Sequence, residues 1–320
     1  MRRKRKRPAA ESSEPGSARA PRARRSALPP AVCTLNACLL PSHLRWIFRA
    51  HRLFESLESA ARRVARAIIA HHRSSPFEAI HLQEIFTEAG FAVLRSELRA
   101  VGLVHSSGFA RCGLCSFATS PITLLRLSEA ASLTDGRPKA WIAMQIGAVV
   151  HVNLHFASEI DGKHAGRLAQ ARELGAWIQR VREGREPLTA TAQGGGGSGT
   201  RQAGQRAVAP AILVIGDTNE PDEPGRRHAL LAAAVGATPR DALPASYSLL
   251  RGAVRGRLDR GYLFAASGAG AAGAAGAGTA GAELVGRVCT DLPDVSDHFL
   301  VRFDLQDEVR WKLRSKCNVM

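Results

Sequence analysis

Ala211-Ile-Leu-Val-Ile-Gly-Asp-Thr-Asn219 opens on five apolar residues and closes on a carboxylate and an amide. A short apolar run rich in β-branched residues predicts a buried strand, here Ala211 to Ile215. Polar side chains at such a strand's end can point into a cleft while the strand itself stays packed. The pattern recurs: a strand over Ala31 to Asn36 ends in Asn36, and one over Ala79 to Ile85 carries Glu84. Val149 to Phe156 carries Asn153 and His155, Leu258 to Phe264 carries Asp259, and Phe299 to Phe303 follows Asp297 and His298. Singly, each is more readily a cap or turn residue; the ordered set is the informative fact.

Two helices and two further strands fill the intervals. Leu53, Phe54, Leu57, Val64, Ile68 and Ile69 recur at helical spacing, and Lys163 to Val181 carries a stripe of Leu168, Leu174, Trp177 and Ile178. Cys112 to Phe117 reads as a strand before the turn at Ser120-Pro121, and Trp141 to Ile146 forms a hairpin with Val149 to Phe156 across Gly147. Gly194-Gly-Gly-Gly-Ser-Gly199 and the Ala/Gly tract from Ala265 to Ala282 offer little side chain to pack. The predicted organisation is a basic tail over 1–29, one domain over 30–308 with flexible insertions near 188–208 and 265–282, and a polybasic tail over 309–320. Many strands with a few helices between them suggest two packed sheets flanked by helices.

The net charge of +16 resembles a nucleic-acid signal until it is located. Ten cations between Arg2 and Arg25 face only Glu11 and Glu14, so half the excess, +8, sits in the N-terminal tail. Such a tail suits nuclear import, a nucleic-acid arm or a clamp on anionic lipid, and it reads equally well as a solvated tail. No apolar run reaches the ~18 residues of a spanning helix, and Pro29, Pro30 and Asn36 interrupt the stretch after the tail, so an intracellular protein is expected. The six cysteines lack paired zinc spacing, and Cys112-Gly-Leu-Cys115 is expected to be buried packing.

Thr34-Leu-Asn36, Leu82-Gln-Glu84, Asn153-Leu-His155, Gly216-Asp-Thr-Asn219, Arg257-Leu-Asp259 and Ser296-Asp-His298 stand in one order along the chain. They resemble the T-L-N, L-Q-E, N-T-H, G-D-x-N, R-[IL]-D and S-D-H motifs of the endonuclease/exonuclease/phosphatase superfamily, from about Val32 to Leu305. The resemblance implies an α/β fold, a four-layer α/β/β/α sandwich of two mixed sheets of the DNase type, with the site at one end of the sheets. It makes Glu84 the principal Mg²⁺ ligand, helped by Asn36, with Asp217, Asn219 and Asp297 lining the same cleft and Mn²⁺ as a substitute ion. Hard oxygen donors suit that cation, which would neutralise a non-bridging phosphate oxygen. His298 becomes the candidate base for water, Asp217 or Asp297 its orienting partner, and His155, beside Asn153, the group that stabilises developing charge or assists the leaving oxygen. One departure stands out: the family places an aromatic after the aspartate, whereas Arg260-Gly261 follow Asp259 here. Either Arg260 supplies a charged donor to phosphate or the strand carries a bulge at Gly261.

Asp135-Gly-Arg-Pro-Lys139 before a hairpin strand resembles the neutral sphingomyelinase pattern, with Ala140 where that pattern has glycine, and marks Lys139 as a phosphate contact. Asn36-Ala-Cys-Leu-Leu-Pro41 is similar to the sphingomyelinase opening as well. The chain stops at Cys317-Asn-Val-Met320, which reads as a prenylation box at Cys317 behind Arg310, Lys312, Arg314 and Lys316. One prenyl chain plus a polybasic segment is the two-signal arrangement for stable attachment at a cytoplasmic membrane face. The expected function is a phospholipid-directed phosphodiesterase that meets its substrate in the bilayer, with anionic lipid held by the basic tails. A nuclease acting on DNA or RNA, with nuclear import through Arg2 to Arg7, and an inositol polyphosphate 5-phosphatase are the alternatives. A binder without catalysis is the third class, and Glu84, Asp217 and His298 at strand ends argue against it.

Overall fold

The computed structural model describes residues 31–40, 55–130, 138–157, 164–188, 209–219, 249–251, 254–256, 259–264, 282–289 and 300–307. Strand β1 (Val32–Leu39) is followed by helix α1 (Leu57–Ser74) and strand β2 (Ala79–Ile85), and the two strands pair in parallel. Parallel neighbours need a long crossover, which α1 supplies. Ser56 caps α1, its hydroxyl accepting from the Ser59 N–H at 3.1 Å, and Ala60, Ala61, Val64, Ala65 and Ile68 line its buried face. Burial of Val64 and Ile68 contributes about 1.5–3 kcal/mol each. Of the residues expected to open this helix, Leu53 and Phe54 lie outside the described residues.

Helix α2 (Glu88–Arg99) has no counterpart in the periodicity reading, although Thr87 caps it and Phe91, Leu94 and Leu98 follow at helical spacing. Strands β3 (His105–Ser106) and β4 (Cys115–Ala118) come next, then β5 (Ile122–Ala130), also unanticipated, and the expected hairpin of β6 (Lys139–Ile146) and β7 (Val149–His155). Helix α3 (His164–Arg182) carries the chain to β8 (Ala211–Asp217), which again pairs in parallel with β7. Short β9 (Leu249–Arg251) and β10 (Val254–Gly256) form their own pair, and β11 (Asp259–Phe264), β12 (Ala282–Cys289) and β13 (Leu300–Asp307) complete the described strands. Residues 189–208 and 265–281 of the expected insertions lie outside the described residues, as do both tails and Cys317. Among the described residues, no helix is long and apolar enough to cross a membrane.

One sheet runs β12-β13-β1-β2-β4-β3 and the other β11-β8-β7-β6-β5. Side-chain alternation sorts each strand between two environments. Cys33, Leu35, Leu82 and Ile80 face α1 and α2, while Val150, Val152, Leu154, Ile212 and Val214 face the Leu174, Trp177 and Ile178 stripe of α3. Their neighbours Val32, Ala79, Ala140, Ile142, Leu213, Ile215, Val301 and Phe303 meet between the sheets. The result is helix, sheet, sheet, helix.

Two expectations change. The Cys112-to-Phe117 strand begins only at Cys115, because Ala110 to Gly113 form a turn closed by Gly113 N–H to Ala110 O at 2.9 Å. Both thiols are buried and free, and burial pushes Cys112 up to about 12 and raises Cys115 further, so neither is a nucleophile at neutral pH. Nor is there a bulge at Gly261: β11 pairs with β8 in unbroken register from Asp259 to Phe264. Gly261 is needed for another reason, since a Cβ there would overlap the Phe303 ring of the facing sheet.

The inner faces turn polar towards one end. His81 and His151 meet at 3.1 Å between the sheets, His81 also reaches Ser116 Oγ at 2.7 Å, and burial lowers both imidazoles, His151 to about 3. A histidine held neutral in the fold but titrating near 6.5 when unfolded stabilises above that pH and loses its contribution as pH falls. The free energy of unfolding is therefore expected to fall below pH 6.5 by about 1.4 kcal/mol per pH unit for each imidazole. Urea titrations at pH 7.5, 6.5 and 5.5 measure this. Equal stability at 6.5 and 5.5 would contradict it, and a His81→Leu/His151→Leu chain should lose most of the slope.

Candidate active site

Alternation puts Asn36, Gln83, Asn153, His155 and Asp217 on the inner faces, at the ends of β1, β2, β7 and β8 that lie together. Asp217 is the hub. Its Oδ2 accepts from Asn36 Nδ2 at 3.0 Å, and its Oδ1 accepts from the Asn219 N–H at 2.8 Å. Asn36 is itself oriented, its Oδ1 accepting from the Cys38 N–H at 3.2 Å where β1 bulges against β2. Asp259 stands directly opposite Asp217 in the β8–β11 ladder and is buried, so that aspartate also reaches this end. Arg260 follows it in β11, opposite Gly216.

His155 Nε2 is the second focus, 3.8 Å from Glu84 Oε1 and 3.7 Å from Asp217 Oδ2. Lys139, at the start of β6 and buried, places Nζ 3.1 Å from the same nitrogen. An ammonium has no lone pair, so in this contact Lys139 donates and Nε2 accepts. Glu84 is the member nearest solvent, its side chain 18% exposed against 1% for His155 and Asp217. Two carboxylates, Glu84 and Asp217, flank one buried point, with the Asn36 amide N–H holding Asp217 in place; such a pair suits a small hard cation, which takes one or two carboxylates and fills the rest with water or phosphate. Among the described residues, no three carboxylate, imidazole or thiol groups gather as a closed metal cage.

Glu84 reaches this point only by breaking the strand rule. Leu82 faces the helices, and alternation would send Glu84 the same way; instead its φ is +60°, which turns the chain and brings the carboxylate to His155. Asn219 has φ +50°. Positive φ in a residue with a side chain costs of order 1–3 kcal/mol and persists where surrounding contacts impose it. Three such residues, Cys38 at φ +49° among them, lie at this one strand-end cluster, as a preorganised site requires.

Asn153, which the strand-end reading puts in the cleft, is used elsewhere. Its amide donates to Leu82 O at 3.2 Å and Cys115 O at 3.1 Å, and Gln83 Nε2 donates to its Oδ1 at 2.7 Å and to Thr34 Oγ1 at 3.0 Å. It cross-links the sheets beneath the site. The Asn219 side chain likewise holds the Phe156 carbonyl at 2.8 Å, leaving its backbone to position Asp217. Gln83 was legible as the centre of L-Q-E but not as this bridge. Asp297 and His298 lie outside the described residues.

No family model matches the sequence, nor does any curated protein. Solved structures do match. Sphingomyelinase C from Streptomyces griseocarneus superposes with a TM-score of 0.57 at 15% identity, covering 88% of this chain and 100% of its own. A substituted beta toxin from Staphylococcus aureus with bound magnesium ions gives 0.55 at 12% identity over 86% and 99%. A mannosyl-6-phosphatase from Bacteroides thetaiotaomicron gives 0.52 at 13% identity, again over 86% and 99%. Near-complete coverage on both sides at such low identity is a statement about architecture. This chain therefore shares the fold of these three proteins, an α/β/β/α sandwich, and carries a carboxylate, amide and imidazole cluster at one end of its own sheets.

Proposed function

We propose that the chain is a divalent-metal-dependent phosphodiesterase, using Mg²⁺ with Mn²⁺ as a substitute, that hydrolyses a phospholipid at a membrane surface. The observation that carries it is the convergence of Glu84, Asp217 and Lys139 on His155. A phosphodiester is anionic and needs cationic neutralisation beside a place for water, and this cluster offers both signs of charge at one point. Glu84, Asp217 and Asn36 would hold the ion, with Asn219 and Asp297 beside them. When bound, it supplies charge neutralisation at a non-bridging phosphate oxygen.

The remaining work falls to side chains. Lys139 donates to the phosphate and Arg260 offers a second donor, while Asp259, which can only accept, stands at the facing strand end. His298, oriented by Asp297, takes a proton as water oxygen bonds to phosphorus. The P–O ester bond breaks, and the leaving oxygen takes a proton that Lys139 passes on through His155 Nε2.

Lipid is favoured over nucleic acid by two supports: the likeness to a sphingomyelinase and the Lys139 ammonium beside His155. On this reading Cys317 is prenylated and the protein works at the cytoplasmic face of a membrane. The test is direct. With Mg²⁺, purified protein should release phosphocholine from sphingomyelin vesicles, and a Cys317→Ser chain should leave the membrane fraction in cells. Cleavage of single-stranded or duplex nucleic acid with none of lipid would replace the substrate with the one that the Arg2-to-Arg7 run suits.

A further inference from the structure

Helix α3 packs on its sheet through Ala171, Leu174, Trp177, Ile178 and Val181. Carried back to the first turns, that same face holds Arg167 and Gln170, exposed by only 2% and 3%. A buried face has no packing use for a guanidinium, so its contacts must explain it. Arg167 donates to the Asn219 carbonyl at 2.7 Å, and Gln170 Oε1 accepts from the Ala157 N–H at 2.9 Å. One helix thus grips both loops that leave the site, the one after His155 and the one after Asp217.

Asn219 is held on three sides. Its N–H binds Asp217, its side chain binds the Phe156 carbonyl, and its own carbonyl is bound by Arg167. The peptide units before and after its Cα are both tied, which is what keeps φ at +50° and the N–H aimed at Asp217 Oδ1. With Oδ1 occupied, Oδ2 is left for Asn36 and the His155 side of the cluster.

We propose that Arg167 is a positioning residue of the reacting centre: by clamping Asn219 it orients Asp217 for cation binding, with Gln170 steadying the loop after His155. The proposal rests on the metal-dependent reading of the same site and names a residue that no motif marks.

The test compares full-length Arg167→Met, which keeps length without charge, with Arg167→Lys. Three readouts are needed: thermal midpoint, Mn²⁺ affinity from the free-ion resonance signal, and kcat and KM on bis(4-nitrophenyl) phosphate. Arg167→Met is expected to weaken Mn²⁺ binding about 10-fold and lower kcat about 10- to 100-fold, the usual scale for partners that orient metal ligands, with KM changed less than about threefold. Arg167→Lys should recover part of both, because it restores one donor and the charge. Folded Arg167→Met with Mn²⁺ affinity and kcat within about twofold of the parent would overturn the assignment while leaving the enzymatic reading intact. If Arg167→Met does not fold, Arg167→Lys decides by the same criteria, unchanged affinity and kcat overturning the proposal. Should the parent hydrolyse no phosphodiester, a loss of Mn²⁺ affinity in Arg167→Met still upholds the clamp and the phosphodiesterase reading falls instead.

Discussion

Glu84→Gln is expected to lower turnover about 10²- to 10³-fold, the scale of removing one preorganised electrostatic partner, with the fold intact. The amide keeps the shape of the side chain and removes the charge that attracts a cation, so its main effect should be on the Mg²⁺ requirement and kcat. Stability offers a second, independent reading. Because Glu84 sits at φ +60°, Glu84→Gly should be more stable than Glu84→Ala by about 1 kcal/mol, although both lose the carboxylate. Urea midpoints for the two variants, beside Mg²⁺-dependent hydrolysis by all three, measure both effects. Full activity in Glu84→Gln would remove Glu84 from the centre, and equal stability of the glycine and alanine variants would show that the conformation carries no strain.

Gly216→Ala is expected to be the most damaging single methyl group that can be added near the site, costing roughly 3 kcal/mol or more. Gly216 has φ +140°, and a Cβ there would overlap the carbonyl oxygen of Leu154, its register partner on β7. Neither strand can retreat, because each is paired along its length on both sides. The displacement would pass to Asp217, the next residue, so activity should fall together with the denaturation midpoint. A midpoint shift worth less than about 0.5 kcal/mol, the range of an ordinary surface change, would contradict this.

Much of this architecture was readable from local pattern. Apolar runs marked β1, β2, the β6–β7 hairpin, β8, β11 and β13, helical spacing marked α1 and α3, and the polar residues at the strand ends stood in a recognisable order. Pattern reading failed at one short helix and two strands. Helix α2 is short, and β5 and β12, each paired on one side only among the described residues, mix polar with apolar residues.

What the chain's order of residues determined by itself was which side chains sit at strand ends and which face each takes, since a strand's period of two is a local property. Only the tertiary structure decided their use. Alternation would send Glu84 among the helices, and a left-handed turn brings it to His155; Asn153 has the same polar chemistry as Asn36, yet it is consumed in joining the sheets. Arg167, on a helix that no motif marks, reaches a loop 52 residues away. The reason is physical: periodicity specifies direction within one element, whereas distance and backbone strain arise between elements, after packing has brought them together.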